Sequence, residues 1–419
     1  MKSLRSFVVD LLDFLRSYFG PFKSVSPPAP TAPWAWGDNS QGQLGNSTNY
    51  LAPFPTLSPA PVSGLLAGAV DIAAGGYHSL VLLSDGTVWA WGQDSHGQVG
   101  YSGAPPAFQY VPALAHLPGQ RAVAIAAGFQ HSLAVAGSGN TVYTWGNNLQ
   151  GQLGWDSMSI LNATHGPVPR QVWTGQNNAP PAFSNAVAVA GGRSHSLALK
   201  VDGTVWAWGD NGLGQLSVDP QTVQMSFVPV QVTGLKRVRV KAVAAGGCHS
   251  LALDLSGRVW AWGNNLNGEL GIGNTNKSPV PVQVTGLRRV KAIAAGESHS
   301  MALDSDDRVW AWGRNFDGQL GNPGRYMTIV PTLSPVLAVG ITRVKAIAAG
   351  ARHSLAVKRD GTVWTWGLND FGQLGIGAMP PASSAYPCQV MSNPTAVPPV
   401  PFSLGKAVAG GGSHSLALK

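Results

Sequence analysis

The sequence predicts an all-β protein: a seven-bladed β-propeller of four-stranded blades, closed by pairing of its N- and C-terminal strands, with a short amphipathic helix in front. Three observations lead there. A Trp-x-Trp-Gly segment begins at Trp34, Trp89, Tyr143 (Tyr for the first Trp), Trp206, Trp260, Trp310 and Trp364, at intervals of 55, 54, 63, 54, 50 and 54 residues. A His-Ser pair recurs with it at His78, His131, His195, His249, His299, His353 and His414. Each internal His precedes the next Trp or Tyr by 11 or 12 residues. A fixed period of this length marks an array of equivalent supersecondary units. One closed array accounts for nearly all of the 419 residues, where length alone suggests two or three domains.

Residues 1–21 read as the helix. Leu4, Phe7, Val8, Leu11, Leu12, Phe14, Leu15, Tyr18 and Phe19 recur at helical spacing, and Ser6, Asp10, Asp13 and Ser17 form the opposite stripe. Gly20-Pro21 stops it. Asp10 and Asp13 interrupt the apolar run, which makes it a poor secretory signal. Through residues 4–19 the segment would contact a membrane surface peripherally, dock on a partner, or pack back on its own domain. Residues 22–33, with Pro27, Pro28, Pro30 and Pro33, read as a stiff linker. The propeller is expected over 34–419.

Within a unit, His249-Ser250-Leu251-Ala252-Leu253 is a strand by composition, Ser256-Gly257 a turn, and Arg258-Val259-Trp260-Ala261-Trp262 the returning strand. Elsewhere the turn is Asp85-Gly86, Asp202-Gly203 or Asp360-Gly361, a strong hairpin signal. Asp306-Asp307 lacks the Gly, so the turn is expected to survive with some strain. Alternation puts Trp260 and Trp262 on one face and Val259 and Ala261 on the other. Both faces are apolar and must be covered, which suits a sheet sandwiched between neighbouring sheets. Val280-Pro281-Val282-Gln283-Val284 reads as an outer strand, because its Pro cannot donate to a ladder. The fourth strand is Val290-Lys291-Ala292-Ile293-Ala294-Ala295. Three residues before every repeated His stands Gly, which calls for an unusual backbone angle or a close backbone approach.

The ends imply closure. After His414 only five residues follow, so the last hairpin has no returning strand, and Trp34-Ala35-Trp36-Gly37 has no preceding His strand. Together they make one sheet, whereas an open array would expose two apolar edges.

Charged residues are 11% of the chain and the formal net charge is +8. The runs 236–241 and 288–291 alternate with Val and read as solvated strand edges or loops rather than a nucleic-acid patch. Cys248 and Cys388 form neither a disulfide framework nor a zinc set. They fit a reducing compartment, so the expected location is cytoplasmic, membrane-peripheral if residues 4–19 bind lipid. Neighbouring His and Ser on a strand point to opposite faces and cannot act as base and nucleophile. The histidines are therefore expected to bond structurally within each blade. Phosphate loops and nucleophile elbows are absent, and neither catalytic residues nor a metal or cofactor is expected.

The Trp-x-Trp-Gly-x-Asn-x-x-Gly-Gln-Leu-Gly and Ala-Gly-x-x-His-Ser-Leu-Ala-Leu segments resemble the regulator of chromosome condensation repeat family, over residues 34–419. The resemblance implies a seven-bladed propeller and no single function. Family members include an exchange factor for a small GTPase that also docks on chromatin, a plant ultraviolet-B photoreceptor, secreted β-lactamase inhibitors and interaction modules. The photoreceptor carries Trp two residues before the repeated His. Here that place holds Gly76, Phe129, Arg193, Gly247, Glu297, Ala351 and Gly412, which argues against photoreception.

Specificity in a regular scaffold resides in what varies. Two loops exceed the repeat length, 155–185 and 376–405. The first carries Trp155, Arg170, Trp173 and Phe183, residue types favoured as binding anchors. They either bind a partner or fold over the blade's outer strand. A second surface is the end bearing the residues before His and after Trp-Gly: Tyr77, His96, Phe129, Arg193, Glu297, Arg314, Arg352 and Phe371. The expected function is non-enzymatic protein binding through this face. The alternative, guanine-nucleotide exchange on a small GTPase, comes from the resemblance alone.

Overall fold

Every Trp-x-Trp segment is the third strand of a four-stranded antiparallel sheet, and seven such sheets stand around a central channel. The computed structural model describes residues 32–46, 55–65, 68–101, 107–155, 165–175, 181–324, 326–377, 382–393, 395–396, 400–403 and 405–419. The expected helix 1–21 and all but the last two residues of the linker lie outside the described residues. Pro33 already belongs to the first strand, Pro33–Gly37.

The fourth blade shows the common plan. Its innermost strand is Val240–Ala245, followed outward by His249–Asp254, Val259–Gly263 and Ser278–Gln283. The outer strand pairs irregularly, with a register shift between Ala261 and Gly263, where Pro281 withholds its N–H. Trp260 and Trp262 pack with Leu197, Leu199 and Val205 of the third blade. Val259 and Ala261 pack the other way, against Trp312 of the fifth. Seven clusters of this kind fill the seven gaps between blades. The inner Trp of each pair is fully buried. Alternation within a strand thus decides packing between blades.

Ring closure occurs as expected. Pro33–Gly37 pairs with His414–Leu418 in register, Ala35 opposite Leu416 and Trp36 opposite Ser415. The last blade takes two inner strands from the end of the chain and two outer ones from its beginning. The Asp306-Asp307 turn also forms, with Asp307 at φ 62°. Its carboxylate accepts from Lys291 and Arg359, which fixes a conformation that Gly adopts more easily.

Candidate interaction face

One end of the propeller carries the His residues, the loops after Trp-Gly and the segments leading to the outer strands; the hairpin turns and the links between blades form the other. The His end is organised by a hydrogen-bond ring. His78 Nε2 lies 2.9 Å from Ser132 Oγ in the next blade, and the same contact, at 2.9 to 3.0 Å, runs through all seven blades until His414 meets Ser79. The expectation of bonds within a blade is corrected: the partner is one blade away, because the His side chain points across the gap. Each Ser Oγ in turn donates to a loop carbonyl of the preceding blade, as Ser79 does to Gln43 O at 2.8 Å. Trp91 Nε1 donates to that same carbonyl, also at 2.8 Å.

The donor sequence fixes the tautomer. Ser spends its only proton on the carbonyl, so His must donate from Nε2, leaving Nδ1 bare. In all seven rings Nδ1 has no hydrogen-bond partner. Burial pushes these imidazoles down to between about 3 and about 4. Neutral, buried and bonded in a ring, they are structural groups. The invariant Gly serves them: a Cβ at Gly75 would lie 2.3 Å from His78 Cε1. Of the two readings of that Gly, close approach is the one realised.

Just inside the ring, the channel has a volume of about 390 Å³ and is lined chiefly by Ala, Gly, Val and Ile. Its rim is stitched by backbone bonds between blades, from Gly76 N to Phe129 O at 3.0 Å around to Gly412 N and Gly75 O, also at 3.0 Å. The rim side chains form one run. Tyr77 and Phe129 meet edge to face with ring centroids 5.5 Å apart. The Arg193 guanidinium lies 5.6 Å from the Phe129 ring and 3.4 Å from Glu297 Oε1. Arg193 reaches Glu297 over the intervening blade because that blade contributes Gly247 there. Beside it Cys248 is half-buried, and burial pushes its thiol up to about 11, so it is no thiolate at neutral pH.

A second cluster stands on the fifth and sixth blades. Arg352 grips buried Asp317 with two bonds, of 2.9 and 2.8 Å. Arg314 approaches the same carboxylate at 3.8 Å and lies over the Phe316 ring at 5.6 Å. His96 sits half-buried at the tip of the first blade's loop, where burial and nearby His165 lower its pKa. Phe371 is exposed at the equivalent loop of the sixth blade.

The long-loop residues behave differently. Trp155 is only 2% exposed and donates its indole N–H to Thr144 Oγ1 at 3.2 Å. It is part of the packing, which corrects its reading as an exposed anchor. Arg170 is exposed and covers that indole at 5.4 Å. Trp173 is half-buried and bridges to Ala182. The first long loop then inserts Phe183 against Trp206 and Trp208, and the second inserts Phe402 against Trp34 and Trp36. Both fill the gap between blades, so Phe183, like Trp155, is packing and its reading as an exposed anchor is corrected too. Residues 156–164, 176–180, 378–381, 394, 397–399 and 404 of these loops lie outside the described residues.

Sequence reasoning missed the loop tips. Leu149, Leu266 and Phe316 stand 54%, 71% and 37% exposed at one repeat position, three residues after each Trp-Gly. Ile329, 91% exposed, adds to them near Phe316, whose carbonyl accepts from Met327 N at 3.2 Å. The signal was there: the residue just before this position is Asn in six units and Asp94 in the seventh, whereas the position itself runs from Ser40 and Gly212 to Leu266 and Phe316. Apolar residues inside a core motif simply read as core.

Fold and rim together define a loop-presenting propeller, with a hydrogen-bonded frame and a variable outer surface. The RCC1-like domain matches residues 176–419, and the regulator of chromosome condensation (RCC1) repeat matches 34–82, 85–135 and 140–199. The chain belongs to the RCC1 repeat family. It is similar to the ultraviolet-B receptor UVR8 of Arabidopsis thaliana, at 32% identity over 73% of this chain and 66% of that protein. It is also similar to the E3 ubiquitin-protein ligase HERC2 of Homo sapiens, at 32% identity over 92% of this chain but 6% of that protein. The chain thus spans just under two thirds of the first and a small fraction of the second. Among solved structures it shares its fold with Prp20p of Saccharomyces cerevisiae, with a TM-score of 0.78 and 24% identity over 93% of this chain and 92% of that one. Human WBSCR16 gives 0.77 and 24%, over 92% and 99%. Among the described residues no helix is long and apolar enough to cross a membrane.

Proposed function

We propose that this propeller is a non-enzymatic binding module whose His-end face holds another protein. One observation carries the reading: exposed Leu149, Leu266, Phe316 and Phe371 crown the end that also bears the Tyr77–Phe129–Arg193–Glu297 run. Aromatic and Arg side chains beside aliphatic tips supply the anchors that protein interfaces use, with charged groups available as a polar rim. The buried groups support no catalytic role, since the imidazoles are confined by packing and the Cys248 thiol holds its proton. Prp20p, which shares the fold, is described with its binding to Gsp1p and histones. A small GTPase is therefore one class of protein to offer, with guanine-nucleotide exchange as the alternative activity.

The test captures partners from lysate on the full chain and on a Leu266→Ser, Phe316→Ser, Phe371→Ser variant. Loss of specific partners from a variant that stays folded supports the reading. Equal capture by both overturns it. Nucleotide release from purified small GTPases, measured in parallel, decides whether exchange accompanies binding.

A further inference from the structure

The end opposite the histidines has its own chemistry. Hydrogen bonds bring the hairpin turns and inter-blade links together there: Leu255 N to Arg239 O at 2.9 Å, Ser305 N to Arg289 O at 2.9 Å and Arg359 N to Arg343 O at 2.8 Å. The basic runs that read as separate strand edges become one sector across the fourth to seventh blades. Lys236, Arg237, Arg288, Arg343, Lys345 and Lys406 are all exposed in it. The carboxylates in the sector are largely engaged. Asp254 bonds Arg258, Asp304 and Asp306 bond Arg308, and Asp307 bonds Lys291 and Arg359. The exposed turn carboxylates Asp85 and Asp202 belong to the first and third blades, outside the sector, and Asp360 within it lies 3.8 Å from Lys358 Nζ.

Aliphatic side chains stand exposed in and beside the basic sector. Leu255, 54% exposed, tips the hairpin between the basic links, and Val201, 39% exposed, tips the preceding one. Val70 and Val123, 55% and 60% exposed, lie at this mouth of the channel, where the fifth and sixth blades carry Lys291 and Lys345. The chain also enters the propeller here, since Pro33 pairs with Leu418 at the turn end.

We propose that the turn end docks on an anionic lipid surface, with the basic sector over the headgroups and Leu255 and Val201 in the interface. A bilayer accepts both kinds of side chain at once, whereas exposed aliphatics gain nothing against a phosphate backbone. Stable membrane attachment ordinarily takes two signals, and a basic surface with exposed aliphatic side chains standing in it supplies an electrostatic and an apolar one. Anionic leaflets attract such a surface over about one Debye length, roughly 8 Å at physiological salt. Docking this way leaves the His end facing the aqueous side for the partner proposed above, although neither proposal needs the other.

The experiment is co-sedimentation of the full chain with vesicles of phosphatidylcholine alone and of equal parts phosphatidylcholine and phosphatidylglycerol. The protein is expected on the anionic vesicles, absent from the neutral ones, and released by high salt. A Lys236→Glu, Arg237→Glu, Arg288→Glu variant is expected to bind about tenfold more weakly or worse, while Arg193→Glu, at the other end, binds unchanged. Leu255→Asp tests the aliphatic contribution, and its residual binding should keep the dependence on the three basic residues. Equal binding to neutral vesicles, or no loss in the triple variant, overturns the proposal. So does displacement from anionic vesicles by a DNA oligonucleotide bound more tightly through the same three residues, which would make the sector a nucleic-acid surface. Thermal unfolding of each variant confirms that the fold is intact.

Discussion

The Nε2 atom of His414, near the end of the chain, lies 3.0 Å from the Oγ atom of Ser79, in the blade that follows around the ring. The two residues are 335 positions apart, and their contact completes the seven-membered relay at the closing blade. Strand pairing completes the last blade, and this side-chain bond ties that blade to the first.

Ser79→Ala strips His414 of its acceptor and the Gln43 carbonyl of one donor, both in a fully buried setting. An unmet buried hydrogen bond costs about 1–3 kcal/mol, so urea unfolding should show a loss of that size. The same change at Ser300 should cost a similar amount, because the relay is equivalent there. A loss confined to Ser79 would mean that the closing blade is the weak point.

Acid should unfold the protein early. Unfolded histidines titrate near 6.5, whereas burial holds the seven folded ones at about 3 to 4. Their folded pKa values are depressed, so the unfolded state binds more protons throughout that window. Stability is full above pH 6.5 and falls as pH drops toward 4. Each such histidine costs about 1.4 kcal/mol per pH unit there, and a domain has only about 5–15 kcal/mol to lose. Circular dichroism should place the midpoint at roughly pH 5. Replacing one His by Gln should make the transition less steep.

Gly75→Ala should destabilise far more than Gly64→Ala. The first would set a methyl 2.3 Å from His78 Cε1 and 2.5 Å from Gly128 O, so strand or ring must move. The second meets nothing within 4 Å and suffers only from a φ of 76°. Expected costs are about 3 kcal/mol or more against about 1 kcal/mol. Thermal denaturation of the pair measures the difference.

Glu269→Gln should stabilise the protein slightly at neutral pH. Glu269 is fully buried, and desolvation raises its pKa despite bonds from Asn264 and Asn267. The folded state therefore holds its proton more tightly than the unfolded state does. Its contribution is most favourable at low pH and falls as pH rises through the carboxylate range. The first blade already holds a neutral pair at the same positions, Gln98 Nε2 donating to Gln93 Oε1 at 3.1 Å. A gain of about 1 kcal/mol at pH 7 is expected, shrinking in acid.

Much of the architecture was legible because it is local and repeated. A period of about fifty residues gave the blade count, Asp-Gly located the turns, and alternation assigned the two faces of each Trp strand. Even closure could be read, since half a hairpin at each end leaves one arrangement that exposes no apolar edge.

Contacts between blades were beyond the reach of that reasoning. The sequence marks each His and its neighbouring Ser but not that the working pair is His414 with Ser79, because no local rule connects residues 335 apart. It flags Trp155 as aromatic and variable, yet only packing against Thr144 and Gly166 buries it. Likewise Lys236, Arg288 and Arg343 belong to three separate links, and only the ring brings their charges to one end. Periodicity determines what each blade is. The turn of the ring decides which distant side chains share a gap, a rim or a face, since those meetings depend on how whole sheets stack.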